Sequence, residues 1–489
     1  MSVLVINILI LVTILTLVLI PAHKNTVIKD LSLAAAFSIF IYSLNGLRQV
    51  STDGISMVAQ YPRIRFPGLK IAYNYLLDDL SILFIILTTL LTIMVVITAR
   101  NIRYRVKEKY ILLFIVEILL INTFLTADLL LFYIFFEAIL IPVFILIGLY
   151  GSKKDKVYAA NQFFLYTLFG SFFMLTGLIL LFSLTGTTNI FYLKGFLLDP
   201  TLEKILFILF FLSFTVKIPT IPLHLWLPQA HVEAPTTGSI LLAGILLKLG
   251  SYGFIRFLIF LFPNASQFFL PLIMATAIIS IILASLTVLR QTDLKRIIAY
   301  SSIAHMNFLV AAIFTSNVTA ITGSLLLQVA HGLSSAALFF LVGILYDRYK
   351  TRNIYYYGGL VTLLPFFCFF FFVFSLANLG FPLTINFISE LMILFGLFES
   401  LPTIGLISLF GIFFSAIYSF ITLSRISFGP ASTFVTHYFD LTRREFLILL
   451  PFAILVLVFG LYPSGLTALW DSYTLTWTDG LEDFHYTNL

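Results

Sequence analysis

Six ionisable side chains stand inside apolar stretches that offer them no solvent. Glu137 lies in LLLFYIFFEAILIPVFILIGLY, Lys217 ends ILFILFFLSFTVK, and Lys248 follows SILLAGILL. His305 falls in AYSSIAHMNFLV, His331 in LLLQVAHGLSSAALFF, and Glu390 in FISELMILFG. An acid or base at membrane depth is costly, so each is a functional hypothesis by default. Desolvation disfavours the charged form of an acid or a lysine, whereas an opposite charge nearby favours it. A group balanced between the two exchanges its proton when a neighbour's charge moves. Imidazole, with an ordinary pKa of about 6.5, suits a relay between such groups. The chemistry these residues can do is therefore proton transfer, along a row Glu137, Lys217, Lys248, His331, His305, Glu390. Plainer readings stand beside it: a salt bridge of Glu137 with Lys217 that fixes two helices, and histidines that merely satisfy hydrogen bonds. Glu117, in FIVEILLINTF, is a weaker candidate nearer the basic end of its span. His224 and His231 flank Trp226 in PLHLWLPQAH; two histidines without a thiolate make a thin zinc signal, and ordering a loop is the simpler role. His224 is kept as a minor proton-transfer candidate.

The elements that hold these groups must be interrupted helices. Pro219 and Pro222 follow Lys217 at once. A proline has no N–H to donate, so the carbonyls of Thr215 and Ile218 lose their helical partners. Pro142 frees the carbonyl of Ala138 beside Glu137, and Pro382 frees that of Asn378 ahead of Glu390. Free carbonyls at membrane depth persist only where protein or a water-filled cavity satisfies them. Lys248 lies 11 residues into its span, roughly 16 Å deep at about 1.5 Å per residue, so it does not readily reach the surface.

Composition fixes the surroundings. Of 489 residues 60% are hydrophobic and 10% charged, with a mean hydropathy of +1.07. Soluble domains carry about 25% charged residues, which excludes a soluble fold. At least a dozen apolar runs are each near the roughly 20 residues that cross a bilayer. The expected fold is all-α and polytopic, one membrane domain of about fourteen spans. Residues 1–109 hold helices 1–3, 110–260 helices 4–8, 268–425 helices 9–13, and 426–489 helix 14 with an acidic, surface-exposed tail from Asp471. The stretch Leu364–Phe398 is, at 35 residues, roughly 52 Å as one helix and so is either one broken span or two short ones. Charge decides. With fourteen spans the loops after spans 1, 3, 5, 9, 11 and 13 hold 19 of the 28 Lys and Arg. The opposite loops hold Arg48, Arg63, Arg65, Lys70, Lys194 and Lys204. This is the positive-inside asymmetry, with both termini outside, and splitting span 12 would spoil it. Broken helices 7 and 12 then lie five spans apart, the pattern of two inverted five-helix repeats with sites at their breaks. Asp78 and Asp79 open span 3 and are expected at the interface.

The net charge of +6 follows this topology and implies no nucleic-acid partner. Cys368 is the single cysteine, which excludes an iron–sulfur cluster or an internal disulfide. The opening MSVLVINILILVTILTLVLIP lacks a basic leader and reads as a retained first span, as in a protein made in an organelle or a bacterium.

The strings LLLFYIFFEAILIPVFILIGLYG, VKIPTIPLHLWLPQAHVEAPTTGSILLAGILLKLGSYG, DLKRIIAYSSIAHMN and AHGLSSAALFFLVGILYDR resemble the antiporter-like, proton-translocating subunits of respiratory complex I (NADH:ubiquinone oxidoreductase). The likeness is dense from Asp128 to Glu390. Glu390, where the sister subunits 2 and 5 usually carry lysine, points to the subunit 4 branch. The resemblance implies that Glu137 is the acid of helix 5, Lys217 the central lysine of broken helix 7, and Lys248 the connecting lysine of helix 8. It makes His305 and His331 the link between the halves, and Glu390 the terminal group of broken helix 12. Pro219, Pro222 and Pro382 mark the hinges. One departure concerns the second break, where the family commonly has Pro-Gly and this chain has Pro382-Leu383, which predicts a hinge that is either stiffer or differently drawn. The resemblance also places NADH, flavin, iron–sulfur and ubiquinone chemistry in other subunits, leaving no cofactor or metal here. It names the other membrane-arm subunits, subunits 2 and 5 above all, and lipids as partners, in the mitochondrial inner membrane. Alternatives in view are a stand-alone Na+/H+ antiporter subunit of the same superfamily and a chloroplast or bacterial homologue.

Overall fold

The computed structural model describes residues 2–53, 58–60, 64–66, 69–71, 74–152, 154–196, 198–435 and 438–470. Its helices in chain order are α1 (Ser2–Leu19), α2 (Asn25–Asp53), α3 (Asp79–Thr98), α4 (Val106–Leu125), α5 (Leu129–Ala138), α6 (Leu140–Tyr150) and α7 (Lys156–Thr185). Next come α8 (Ile190–Lys194), α9 (Pro200–Lys217), α10 (Trp226–Glu233), α11 (Thr236–Leu241), α12 (Lys248–Gly253), α13 (Pro263–Phe268) and α14 (Leu270–Val288). The last are α15 (Leu294–Ile313), α16 (Val318–Tyr349), α17 (Leu360–Leu363), α18 (Pro365–Leu379), α19 (Ile385–Ser400), α20 (Pro402–Ser427) and α21 (Arg443–Leu461). The fold is all-α apart from the segment before α3. There β1 (Val58–Gln60) pairs antiparallel with β4 (Asn74–Leu76), and β2 (Ile64–Phe66) with β3 (Leu69–Ile71). The acidic tail from Asp471 lies outside the described residues, as does Arg63.

Ten helical segments among the described residues are long and apolar enough to cross a membrane, and Leu4–Leu19 and Pro365–Leu379 are shorter apolar helices. Helices α4 and α9 fall outside that set because they carry Lys107, Glu108, Lys109 and Glu117, and Glu203, Lys204 and Lys217.

The chain divides into two compact units. The first comprises the chain up to Lys217 with Glu233–Leu241 and Ile245–Phe269; the second comprises Ile218–Val232, Leu242–Gly244 and the chain from Leu270 on. In the first unit α7 lies on α9 at very short range, so that a methyl group at Gly170 would stand 2.8 Å from Val216. Small residues of this kind let membrane helices approach where no hydrophobic drive separates protein from lipid. In the second unit α16 is buried along its whole apolar length, the burial expected of a helix that is apolar all round. The phenylalanine run of α18 splits by face, with Phe367, Phe370 and Phe374 buried and Phe366, Phe369 and Phe372 exposed.

Candidate proton-transfer site

In the first unit the helices that carry the candidate groups are interrupted beside them. α9 ends on Lys217, and a turn follows before α10. α5 stops at Ala138 and α6 starts at Leu140, so the interruption falls two residues after Glu137. Lys217 is 4% exposed, and its Nζ lies 4.3 Å from the centre of the Phe136 ring. Glu137, next to Phe136, is its electrostatic partner. Ser171 of α7 is within hydrogen-bonding reach of both Glu137 and Tyr133. The sequence placed Glu137 inside the bundle, whereas the structure leaves it half-buried between Ile134 and Ile141, which are 47% and 59% exposed. Positions 134, 137 and 141 fall on one stripe of a helix.

Lys248 is completely buried. It opens α12 directly after a π-helical turn, Leu242–Leu246, and a second one, Phe254–Ile259, follows. Such turns loosen the ladder without any proline and recur at functional sites; nothing in residue type announces them.

Two acids outside the row are enclosed by protein. Asp78 caps the start of α3 and is buried. Its Oδ2 takes a hydrogen bond from Arg256 Nη2 at 2.5 Å, while Arg256 Nε donates to Tyr252 Oη at 3.1 Å and Tyr252 Oη donates to Phe124 O at 2.8 Å. An arginine eight residues beyond Lys248 was the available signal, since a guanidinium at that depth requires a partner. Glu117 is also fully buried in unbroken α4, with Thr92 Oγ1 donating to its Oε1 at 2.9 Å.

The second unit gathers His305, His331 and Glu390. Glu390 Oε1 lies 3.3 Å from His305 Nδ1, and the His305 and His331 rings are 5.8 Å apart. All three are buried. The break ahead of Glu390 starts with a glycine rather than with Pro382. Gly380 has φ +74° and closes α18 with Phe381 N donating to Leu376 O and Gly380 N to Ala377 O, a Schellman-type ending. Pro382 then prevents the helix from resuming. Leu383 has φ +76°, the left-handed region that the family's usual glycine fills without strain. Residues that sequence reasoning passed over hold the backbone of the turn after the first break: Asn307 Nδ2 donates to Pro219 O at 3.2 Å, and Ile221 N donates to Ser280 Oγ at 2.9 Å. His231 stacks on Phe339 with ring centres 4.5 Å apart, and His224 lies 6.2 Å from Tyr300. Among the described residues no three His, Cys, Asp or Glu side chains come together as a metal site.

A multi-pass helical membrane protein with acids and lysines set beside helix interruptions, and buried histidines in unbroken helices, is of the ion-translocating class. The chain belongs to the family described as "NADH:quinone oxidoreductase/Mrp antiporter, TM", whose profile matches residues 126–417. It is 45% identical to NADH-ubiquinone oxidoreductase chain 4 of Chondrus crispus, over 93% of each chain. To the proteins of that name from Marchantia polymorpha and Arabidopsis thaliana it is 44% and 45% identical, over 92% of this chain and 91% of each of theirs. Among solved structures it is similar to a chain of respiratory complex I from Thermus thermophilus with bound NADH. That match has a TM-score of 0.87 and 27% identity, and covers 98% of this chain and 100% of that one.

Proposed function

We propose that this chain translocates protons across the mitochondrial inner membrane as the antiporter-like subunit 4 of complex I, using the buried acids, lysines and histidines above. The observation that carries the reading is Lys217 on the last turn of a broken helix, desolvated and electrostatically tied to Glu137. Family membership and relatives that carry one name support the subunit assignment. In this reading a charge arriving at Glu137 alters its pairing with Lys217. Lys217 then yields its proton toward Lys248, His331 and His305 relay it, and Glu390 passes it onward or out. Each unit charge moved against the potential costs about 2.3 kcal/mol per 100 mV, so redox chemistry in other subunits drives the step. NADH, flavin, iron–sulfur and ubiquinone sites belong to those subunits.

The exposed Ile134 and Ile141 on either side of partly buried Glu137 support a protein neighbour there, because a carboxylate at membrane depth does not face lipid. A second antiporter-like subunit, 2 or 5, is the neighbour we assign. Fourteen spans in two inverted five-helix repeats, with both termini on the intermembrane-space side, complete the reading; the breaks beside Lys217 and Glu390 and the distribution of Lys and Arg support it. The test is Lys217→Met in the assembled complex, with proton flux and NADH oxidation followed together. Assembly with lost flux is expected, and an unchanged ratio of protons to NADH overturns the reading.

A further inference from the structure

Tyr418, on α20, takes no part in the row above. It is 2% exposed and borders two small cavities of the second unit. The inner cavity, about 20 Å3, is lined by His305, Glu390, Ser408 and Ser415 as well as Tyr418. The outer, about 30 Å3, is lined by Ser301, Asn378, Ser419 and Thr422 with Tyr418 again, and it extends to Leu294, the first residue of α15. Lys295 and Arg296 follow Leu294. A water needs about 10–15 Å3 of such space and two to four polar partners, and both cavities meet that requirement. Ser301 and Ser419 donate their hydroxyl hydrogens to Ile298 O and Ser415 O, which leaves their oxygens as acceptors toward the outer cavity.

The Tyr418 hydroxyl is near Ser301 and Asn378 and within electrostatic reach of Glu390. It makes no hydrogen bond of ordinary geometry to the described residues. Buried hydroxyls nearly always have a partner, so one left open between two water-sized, largely apolar spaces that each also carry polar side chains is placed to accept on one side and donate on the other.

We propose that Tyr418 is a relay residue joining the His305–Glu390 pair to the end of α15 that bears Lys295 and Arg296, through water in the two cavities. The inference rests on the reading of Glu390 as a proton carrier. In the step, a hydrated proton in the outer cavity is delivered to the phenol oxygen while the phenol O–H gives its own proton to water in the inner cavity, and thence to Glu390. The tyrosine is neutral before and after, and rotation of the new O–H resets it.

The experiment uses the whole complex in proteoliposomes, with proton flux and NADH oxidation measured side by side. Tyr418→Phe keeps the ring and removes the hydroxyl; flux is expected to fall by about a hundredfold, the low side of what a placed proton-transfer group contributes. Tyr418→His, which restores a proton-carrying group, is expected to recover flux that a packing role would not recover. Thr422→Leu fills the outer cavity, should reproduce the loss, and decides the matter if Tyr418→Phe fails to assemble. Wild-type flux in Tyr418→Phe, or in Thr422→Leu where that variant decides, overturns the relay if Glu390→Gln abolishes flux. Wild-type flux in Glu390→Gln as well overturns the reading of Glu390 beneath it.

Discussion

Replacing Gly380 by alanine tests whether the second helix break exists to seat Glu390. A methyl group built on Gly380 stands 3.1 Å from Glu390 Cδ and closer still to Oε2, whereas carbon atoms settle about 3.5–4.0 Å apart. The carboxylate must therefore retreat by roughly 0.5–1 Å to restore that contact distance. A shift of that size displaces the carboxylate from its 3.3 Å contact with His305 Nδ1. The backbone adds about 1–2 kcal/mol, because φ is +74° and a side chain in the left-handed region costs that much. A misplacement of about 1 Å can cost ~10²-fold in a positioned reaction, so a loss of proton flux of that order is expected at this step. Gly186→Ala separates the causes. Gly186 has φ +68° with no atom within 4 Å of an added methyl, so it suffers the backbone cost alone and should pump normally. Both variants are assayed for thermal stability, NADH oxidation and proton flux in the assembled complex. Equal, undiminished flux in the two variants would refute the claim that the glycine seats the carboxylate.

Two further outcomes follow from the geometry. Removing one partner of the Asp78–Arg256 pair leaves a buried charge alone, at a cost of about 3–5 kcal/mol; Arg256→Met should sharply lower the amount of the subunit retained in purified complex, while Arg256→Met with Asp78→Ala recovers most of it. Leu383→Gly should raise stability. The relief is about 1–2 kcal/mol of left-handed strain against about 0.5–1 kcal/mol of glycine entropy, and Leu383 is 57% exposed, so little burial is lost. The thermal midpoint of the intact complex reads the sign of that change.

What the sequence disclosed and what it withheld divide along the range of the interaction. Pro219, Pro222 and Pro142 act on carbonyls three or four residues away, so the interruptions beside Lys217 and Glu137 were legible from the string alone. The pairing of Asp78 with Arg256 joins residues 178 positions apart, and only the demand of Arg256 for a partner hinted at it. Glu137 was taken for an interior group because its span is apolar on every side, which removes the contrast that would show which stripe faces outward. The left-handed backbone of Leu383 marks where a sequence departure bears on structure: the turn has a conformation that glycine adopts freely and carries a leucine in it.

The four candidate charges and the two histidines differ in a way that bears on mechanism. Glu137, Lys217 and Lys248 each lie within two residues of an interrupted hydrogen-bond ladder, and Glu390 lies in the first two turns after one. His305 and His331 sit in the unbroken helices α15 and α16. A carboxylate or an ammonium in its charged form needs several hydrogen bonds, and at membrane depth freed backbone groups and the water they admit supply them. A neutral imidazole needs only one donor and one acceptor partner, which side chains provide without disturbing a helix. In the proposed row, breaks therefore accompany the groups that would hold charge and are absent at the histidines that would only pass a proton. Glu117, held by Thr92 in unbroken α4, falls on the side of groups that need not ionise, which separates it from the row.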